Sequence, residues 1–230
     1  MVLNSSFAIS IPAYNNEQTI EQVINESIDV LSKITDDYEI VVINDGSIDN
    51  TKKIIDNLAN RNKNIRVINH EKNEGFGKTI KEVFTEPKKE WVFFVPGDGQ
   101  ISPYELFKLY IKIKDYDFII GRRKNRRDSL IRKINSFIYN LIISLLSNKR
   151  VNDVDSVVLF RRSILNNVKL EARSAFIHAE IYLNVVKKDI SITEIEIEHK
   201  SRLYGKQGGN KISVIISTIV DIIKYLIRGN

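Results

Sequence analysis

The sequence predicts an α/β fold in which a mixed, mainly parallel sheet is flanked by helices. Short apolar runs rich in branched residues alternate with segments whose apolar residues recur at helical spacing. The chain has 230 residues, of which 43% are hydrophobic, so it can bury the core of one large domain. We expect a main domain over residues 1–210, followed over 211–230 by an amphipathic helix that lies on a membrane or binds a partner.

The first part of the chain repeats a strand followed by a helix. Phe7 to Ile11 is an apolar run that stops at Pro12, and apolar residues from Ile20 to Leu31 then recur at helical spacing. Residues 39–43 predict a second strand, with a helix over about 49–60. Residues 65–68 predict a third strand, with a helix over about 75–84.

Two further strands are predicted in the middle of the chain. Residues 91–95 form a fully apolar run, and the next helix begins after Ser102 and Pro103, because proline suits the first helical turn. Residues 117–120 form the fifth run. In sheets built from such repeats, ligands bind beyond the carboxyl ends of the strands.

Polar residues follow four of these runs. They are residues 12–17 after the first strand, 44–47 after the second, 96–100 after the fourth and 121–123 after the fifth. Asp45, Asp98, Gln100 and an arginine cluster therefore converge on one edge of the sheet. Such an edge is suited to a phosphate-linked substrate, although each turn alone is also compatible with ordinary turn chemistry.

Several classes of protein are excluded. The chain has no cysteine, so disulfides, zinc thiolate sites and thiol nucleophiles are absent. The segment Gly77-Lys78-Thr79 resembles the end of a P-loop, but Lys72 stands where that motif needs a glycine. The first loop lacks GxGxxG, and the three histidines have no metal-binding spacing. The N-terminus lacks the basic region of a secretory signal, so we expect a cytoplasmic protein.

Basic residues are concentrated in one segment of the chain. The formal net charge is +6, which favours an anionic partner such as a nucleotide, a lipid phosphate or a membrane surface. The segment contains Arg122, Arg123, Lys124, Arg126, Arg127, Arg132 and Lys133. Guanidinium groups hold phosphate in a fixed geometry, although a solvated surface loop is the alternative interpretation. Aromatic interleaving typical of nucleic-acid binding is missing, so no nucleic acid is expected.

Eight segments together resemble a known family. They are IPAYNNEQTI, VVINDGSIDNT, KNEGFGKTI, FVPGDGQISPYEL, GRRKNRRDSLIRKINSFIYN, DVDSVVLFRRSIL, AFIHAEI and HKSRLYGKQGGN. In this order and spacing they resemble the family 2 glycosyltransferases of GT-A fold, and in particular the dolichyl- and undecaprenyl-phosphate sugar transferases. The resemblance covers about residues 5–210. It implies transfer of a sugar from a nucleotide-sugar donor, UDP- or GDP-linked, with inversion at the anomeric carbon.

The resemblance implies a donor site at the carboxyl edge. Pro12, Tyr14, Asn16 and Asp45 would line the nucleotide pocket, with Asp45 accepting a hydrogen bond from the base or the ribose. The family usually has an acid where this chain has Asn16. That departure leaves the identity of the base open.

The resemblance also implies a divalent cation, Mg²⁺ or Mn²⁺, bound by Asp98 and Gln100. Both cations favour oxygen ligands, so the residue types suit them. Pro96 occupies the position of the family's first aspartate and has no side-chain oxygen. We therefore expect weaker metal binding that relies on Asp98, Gln100, water and the donor diphosphate.

Further basic and acidic residues match family positions. Arg123, Arg126, Arg132 and Ser136 match residues that bind donor or acceptor phosphates, and a basic acceptor loop would contain Arg202 and Lys206. A lipid phosphate acceptor is already an anion and hardly needs a general base, whereas a hydroxyl acceptor requires a carboxylate. The candidates for that base are Asp153, Asp155 and Glu180, which the sequence does not rank.

Two segments, 130–146 and 212–228, combine a wide apolar arc with a narrow polar stripe. Each is too short and too charged to span a membrane. Interfacial helices on a lipid surface fit the pattern, as does burial against the core or against a partner subunit.

Taken with the resemblance, these features predict a peripheral protein on the inner face of the cell membrane, attached directly or through a membrane partner protein. Its predicted activity is metal-dependent transfer of a sugar to a polyprenyl phosphate in cell-envelope biogenesis. The alternatives are transfer to a hydroxyl of a glycan or glycolipid, or a catalytically weakened nucleotide-sugar binding or assembly subunit.

Overall fold

A computed structural model describes residues 5–124, 130–201 and 212–228. The strands are β1 (Phe7–Ala13), β2 (Tyr38–Asn44), β3 (Ile65–Asn69), β4 (Trp91–Phe94), β5 (Phe118–Lys124), β6 (Val158–Arg161) and β7 (Ile192–Glu198). The helices are α1 (Ile20–Ile34), α2 (Thr51–Arg61), α3 (Phe76–Thr85), α4 (Leu106–Tyr110), α5 (Leu130–Ser147), α6 (Ile177–Lys187) and α7 (Ile212–Ile227). Short 3₁₀ turns at Pro103–Glu105 and Arg162–Leu165 complete the regular structure of this part of the chain.

The strands form one sheet in the order β3-β2-β1-β4-β6-β5-β7. The pairs β3–β2, β2–β1, β1–β4 and β5–β7 are parallel, whereas β6 is antiparallel to both of its neighbours. Every strand of this sheet except β6 therefore ends at the same edge, and β6 begins there. The predicted mixed, mainly parallel sheet with flanking helices is confirmed.

Alternate residues of the strands face two separate hydrophobic layers, as the pleat of a strand requires. Phe7, Ile9 and Ile11 pack towards α1, α2 and α4. Ala8 and Phe94 belong to the opposite layer, which contains buried residues of α3, α5, α6 and α7. The sheet is therefore covered on both faces by helices.

Helix α5 turns its polar stripe towards the protein. The Asn140 side-chain oxygen accepts a hydrogen bond from the Val154 backbone N–H at 2.9 Å, and the Ser144 hydroxyl accepts one from the Val151 backbone N–H at 3.0 Å. Its apolar side chains are exposed at Leu130, Ile131, Ile134, Phe137, Ile138, Leu141, Ile142, Leu145 and Leu146. The polar side of α5 therefore faces the protein, and its apolar side is exposed.

Helix α7 is held at a few positions. The Asp221 carboxylate accepts hydrogen bonds of 2.9 Å from the backbone N–H groups of Arg173 and Ser174, and Tyr225 is buried against Phe176. Most of its large apolar residues stay exposed, namely Ile212, Ile215, Ile216, Ile219, Val220, Ile223, Leu226 and Ile227. Among the residues described here, no helix is long and apolar enough to cross a membrane.

Candidate active site

Asp45 lies directly after β2 and is buried under the loop that joins β3 to α3. Its Oδ1 atom is 2.8 Å from His70 Nδ1 and accepts a hydrogen bond from the Glu74 backbone N–H at 2.8 Å. Its Oδ2 atom accepts one from the Gly75 backbone N–H at 3.2 Å. Asp45 therefore ties the end of β2 to this loop.

Gly46 allows the loop to approach that closely. Its φ angle is +65°, which favours glycine, and a Cβ atom at this position would lie 2.2 Å from the Lys72 carbonyl carbon. Any side chain here would displace the backbone of Lys72 and Asn73. The turn after β2 and the loop over residues 70–75 therefore form one packed unit.

The loop after β1 is joined to the loop after β2 by hydrogen bonds. The Asn15 backbone N–H donates to the Ser47 hydroxyl at 3.0 Å, and the Asn16 backbone N–H donates to the Thr51 hydroxyl at 2.7 Å. The Asn16 side-chain oxygen accepts from the Tyr14 backbone N–H at 2.9 Å. Tyr14 is 45% exposed beside this network, so its ring is available to a planar ligand.

The segment around Asp98 packs on the end of β1. The Gly97 backbone N–H donates to the Pro12 carbonyl at 3.1 Å, and a Cβ atom on Gly97 would lie 2.8 Å from that oxygen. Asp98 Oδ1 accepts a hydrogen bond from the Gln100 backbone N–H at 3.1 Å. Pro12 and Asp98 are assigned by the sequence to different parts of one site, and Pro12 at the end of β1 thus contacts the segment that contains Asp98.

Gln100 links the β4 loop to the end of β7. Its buried side-chain Nε2 lies 3.4 Å from His199 Nε2 and 3.4 Å from the Lys200 carbonyl oxygen, and its own backbone carbonyl accepts from the Lys200 N–H at 2.8 Å. Within the described residues, no group of three or more histidines or carboxylates could hold a metal ion. Asp98 and Gln100, the predicted metal ligands, therefore lie on one short segment after β4, and the backbone N–H of Gln100 bonds to Asp98.

Arg123 near the end of β5 and Asp153 on the segment between α5 and β6 form a buried ion pair. The Asp153 carboxylate accepts hydrogen bonds from Arg123 Nε at 2.8 Å, from its terminal nitrogen at 2.5 Å and from its backbone N–H at 3.0 Å. The Asp153 side chain is 3% exposed and that of Arg123 is 10% exposed. Two residues with separately predicted roles are thus neighbours, and the arginine neutralises the candidate base.

The carboxyl edge thus brings together a first loop, two acidic turns and a buried arginine, and comparison with known proteins gives this arrangement its family. The family model described as Glycosyl transferase family 2 matches residues 8–169, which is more than half of the chain. The chain belongs to glycosyltransferase family 2.

Two relatives of this glycosyltransferase match most of its length. Undecaprenyl-phosphate 4-deoxy-4-formamido-L-arabinose transferase of Proteus mirabilis is 29% identical over 202 residues, 86% of this chain. The chain spans only 61% of that relative's length. An uncharacterised protein of Methanocaldococcus jannaschii is 31% identical over 232 residues, covering 94% of this chain and 97% of the relative.

Solved structures with low sequence identity have the same fold. The glucosyl-3-phosphoglycerate synthase of Mycobacterium tuberculosis, in complex with Mn²⁺, uridine diphosphate and glucosyl-3-phosphoglycerate, matches with a TM-score of 0.71 at 15% identity. The match covers 94% of this chain and 80% of that chain. A complex of the same enzyme with UDP-glucose, Mn²⁺ and phosphoglyceric acid matches with a TM-score of 0.73. The likeness establishes the fold of the glycosyltransferase.

Glu180 of this glycosyltransferase is buried near the start of α6. Its Oε2 accepts hydrogen bonds of 2.9 Å from the backbone N–H groups of Glu171 and Ala172. Burial raises the pKa of the Glu180 carboxyl, and the two backbone hydrogen bonds oppose that effect. The side chain therefore holds the 171–172 segment against α6.

The remaining predicted residues lie in different surroundings. Asp155 is exposed, and its charge adds to the burial that raises the pKa of Tyr139 well above its usual value. Arg132 and Ser136 lie on α5, half-buried, with the Ser136 carbonyl accepting from the Asn140 side chain at 2.8 Å. The predicted phosphate-binding residues Arg126, Arg202 and Lys206 lie outside the described residues.

Sequence reasoning missed His70 and His199. Both follow directly on a strand that ends at the carboxyl edge, β3 and β7 respectively. The rule that singled out Asp45 and Asp98 would have found His70 among the polar residues after the third predicted strand, next to Asn69. His199 had no such signal, because β7 was not among the predicted strands.

Proposed function

We propose that this chain is an inverting glycosyltransferase that moves a sugar from a nucleotide-sugar donor to a membrane-associated polyprenyl phosphate. The observation that carries this proposal is the convergence of the Asp45 turn, the first loop and the Asp98 turn at one edge of the sheet. The name of the Proteus mirabilis relative supports the acceptor.

The proposed donor site uses Pro12, Tyr14, Asn16 and Asp45. Tyr14 provides an exposed aromatic face for a base. The Asp45 carboxylate is buried and held by three hydrogen bonds, so a base or ribose donor would meet an acceptor of fixed orientation. Asn16 holds the backbone of Tyr14 in place and so contributes through the shape of the loop.

A divalent cation, Mg²⁺ or Mn²⁺, would be held by Asp98 and Gln100 together with the donor diphosphate. The donor set fits a hard cation, because Mg²⁺ needs only one or two carboxylates when substrate phosphates complete its shell. When bound, the cation would neutralise charge that develops on the leaving diphosphate. Pro96 adds no oxygen to this set, so we expect binding of the cation to depend on the nucleotide.

The proposed acceptor side is basic. Arg123, Arg132 and Ser136 lie on β5 and α5, and Arg126, Arg202 and Lys206 belong to the adjoining parts of the sequence. A lipid phosphate would attack as an anion and would not require a general base. The ion pair of Asp153 with Arg123 and the structural hydrogen bonds of Glu180 support this acceptor over a hydroxyl.

We infer that the apolar faces of α5 and α7 place the protein peripherally on the inner face of the cell membrane. Their polar groups bond to the protein, and their apolar side chains are exposed. An interfacial helix buries such a face at the boundary of headgroups and acyl chains. The acceptor phosphate of a polyprenyl lipid lies at that same boundary.

Calorimetric titration with UDP and with GDP, each with and without Mn²⁺, tests the donor site. We expect one of the nucleotides to bind more tightly with Mn²⁺, and Asp98→Ala to remove the effect of the cation. Asp45→Asn should weaken binding with or without the cation. Absence of binding for both nucleotides would overturn the proposed donor site.

Turnover separates the candidate functions. Release of nucleoside diphosphate that requires undecaprenyl phosphate would support the proposed acceptor. Turnover that requires a glycolipid hydroxyl and is lost in Asp155→Asn would favour the alternative acceptor. Tight nucleotide binding without turnover on either acceptor would favour a binding or assembly subunit, which Pro96 makes a specific alternative.

A further inference from the structure

His70 lies between two carboxylates. Its Nδ1 atom is 2.8 Å from Asp45 Oδ1, and its Nε2 atom is 2.6 Å from Glu82 Oε2. The His70 side chain is 6% exposed, so water competes little for either nitrogen. A neutral imidazole has only one N–H, and its other nitrogen would face a carboxylate oxygen without a proton between them. The arrangement therefore requires an additional proton, which the imidazolium form supplies.

The charged groups around His70 come from the end of β2, from α3 and from Glu74 on the loop before α3, whose charge also acts on His70. Asp45 faces it from the end of β2, and Glu82 faces it from α3. Lys78 lies on the same helix, with its Nζ 3.9 Å from Glu82 and 2.5 Å from Glu74. The direct neighbours are thus both acidic, and the lysine is one step removed.

His70 also belongs to the loop that covers Asp45. Its backbone N–H donates to the Asn44 carbonyl at 2.9 Å, which extends the pairing of β3 with β2 up to the site. Asp45 accepts two more hydrogen bonds from the Glu74 and Gly75 backbones of the same loop. Loss of the His70 hydrogen bond would free one side of this carboxylate and loosen the loop around it.

We propose that His70 is a positioning residue that, as an imidazolium, fixes the Asp45 carboxylate for the nucleotide donor and makes donor binding weaken as pH rises. This inference rests on the proposed function, in which Asp45 binds the nucleotide. It gives His70, the residue directly after β3, a role at the proposed nucleotide site.

The direction of the pH effect follows from the surroundings of His70. Burial lowers its pKa, but the hydrogen bonds and charges of Asp45 and Glu82 outweigh burial, so the pKa is raised above its ordinary value of 6.5. The proton is therefore retained to a higher pH than in an ordinary imidazole, and it is lost as pH rises through the raised pKa. The hydrogen bond to Asp45 is strongest below that pH.

The titration of His70 can be followed by NMR of the imidazole groups. The chain has three histidines, and burial holds the pKa of His178 at about 3, so His178 does not titrate between pH 5 and 9. The signal missing from His70→Gln identifies His70. We expect its apparent pKa to lie above 6.5 and to fall in Glu82→Gln, whereas Asp56→Asn, the same change of charge on exposed α2, should leave it unchanged.

The functional test measures the dissociation constant for UDP and for GDP, with Mn²⁺, from pH 6 to 9. We expect binding by the wild-type protein to weaken above the pKa of His70. His70→Gln should bind about tenfold more weakly at pH 6.5, as for the loss of one charge-assisted hydrogen bond, and should lack the pH step. In turnover assays the donor KM should rise while kcat changes little, because the residue does not touch the reacting atoms.

The outcomes separate this inference from the proposed function. Unchanged affinity and pH profile in both His70→Gln and Glu82→Gln, with binding that Asp45→Asn weakens, would overturn the role of His70 alone. Unchanged binding in Asp45→Asn would overturn the proposed donor site and this inference together. If His70→Gln fails to fold, Glu82→Gln decides, since it should shift the pH step of nucleotide binding downward.

Discussion

Arg123 and Asp153 show how a residue's role depends on its neighbour. Each was predicted to act on a substrate, yet their side chains are bonded to each other. The three hydrogen bonds to Asp153 hold Arg123 in one orientation at the end of β5.

Asp153→Asn is expected to destabilise the fold by about 3–5 kcal/mol, because it leaves the buried Arg123 without its counter-charge. Urea unfolding at pH 7 measures this loss. Asp36→Asn is the matched control at an exposed position, where we expect a change below about 0.5 kcal/mol. Equal losses in the two variants would contradict the structural role of Asp153.

Glu180 gives a second prediction at the residue scale. Glu180→Ala leaves the Glu171 and Ala172 N–H groups without their acceptor, which costs about 2 kcal/mol or more. Glu180→Gln keeps an acceptor oxygen and should lose clearly less stability. Urea unfolding and turnover are measured together, and a stable Glu180→Gln that has lost all turnover would instead identify Glu180 as a catalytic base.

The burial of His178 should make the folded protein less stable at acid pH. Its ring lies among Phe76, Phe84 and Phe94, and burial lowers its pKa from 6.5 to about 3. The folded protein therefore disfavours the charged form of His178. The contribution of the buried neutral imidazole to the free energy of unfolding is complete above pH 6.5, and it declines as pH falls towards 3. This lowered pKa of His178 should reduce the free energy of unfolding by about 2–3 kcal/mol between pH 7 and pH 4.5. In urea unfolding His178→Leu should lack this loss, and an identical pH dependence would contradict the assignment.

The sequence predicted which single residues lie close together only where those residues follow the ends of strands. Asp45 and Asp98 follow apolar runs, and parallel strands share one ligand-binding edge, so their convergence was predictable. The contacts of Glu180 with residues 171 and 172, and of Asp153 with Arg123, depend on how segments that are separate in the sequence pack together in the fold. Periodicity carries no such information.

At the scale of elements, the first five strands were predictable and the last two were not. The early strands are apolar runs that each end at a turn, whereas β7 alternates apolar and acidic residues at a partly exposed edge. β6 is only four residues long and continues into a 3₁₀ turn. β5 runs to Lys124, beyond its predicted end at Ile120, because β7 pairs with it over residues 118–124.

The orientation of α5 and α7 against the rest of the protein was also not predicted from the sequence. The sequence predicted their polar stripes, but not that the α5 stripe faces the protein. Asn140 and Ser144 satisfy backbone N–H groups of the 151–154 segment, and this fixes the rotation of α5. Asp221 plays the same part for α7.

Tyr225 should control the docking of α7. Its ring is buried against Phe176 with centroids 5.5 Å apart, and Lys187 Nζ lies 5.1 Å from the centroid of the Tyr225 ring. Tyr225→Ala should therefore speed hydrogen exchange of the α7 amides by about tenfold or more, while Tyr225→Phe, which keeps the ring, should not. Equal exchange in Tyr225→Ala and wild type would show that other contacts hold the helix.

At the scale of the whole molecule, α5 and α7 pack into the same hydrophobic layer through Ile143 and Tyr225. Both therefore cover the same face of the sheet. Their outward apolar residues and the basic segment before α5 suit an anionic lipid surface. The opposite face carries α1, α2 and α4.

Phe137→Glu should weaken co-sedimentation with phosphatidylglycerol vesicles about tenfold, because it places a charge in the outward face of α5. Ile111→Glu is the matched control, since both side chains are 69% exposed and Ile111 lies beyond α4 on the other face. Neither variant should lose thermal stability. An equal effect of the two substitutions would contradict a specific lipid-facing surface.

Transfer itself tests the central claim most directly. The protein is incubated with undecaprenyl phosphate, Mn²⁺ and a panel of radiolabelled UDP- and GDP-sugars, and label is counted in the organic extract. We predict that label from at least one donor enters the lipid with wild-type protein and Asp155→Asn, and fails to enter with Asp98→Asn. Label that stays in water for every donor, or lipid labelling that Asp98→Asn leaves intact, would contradict the account.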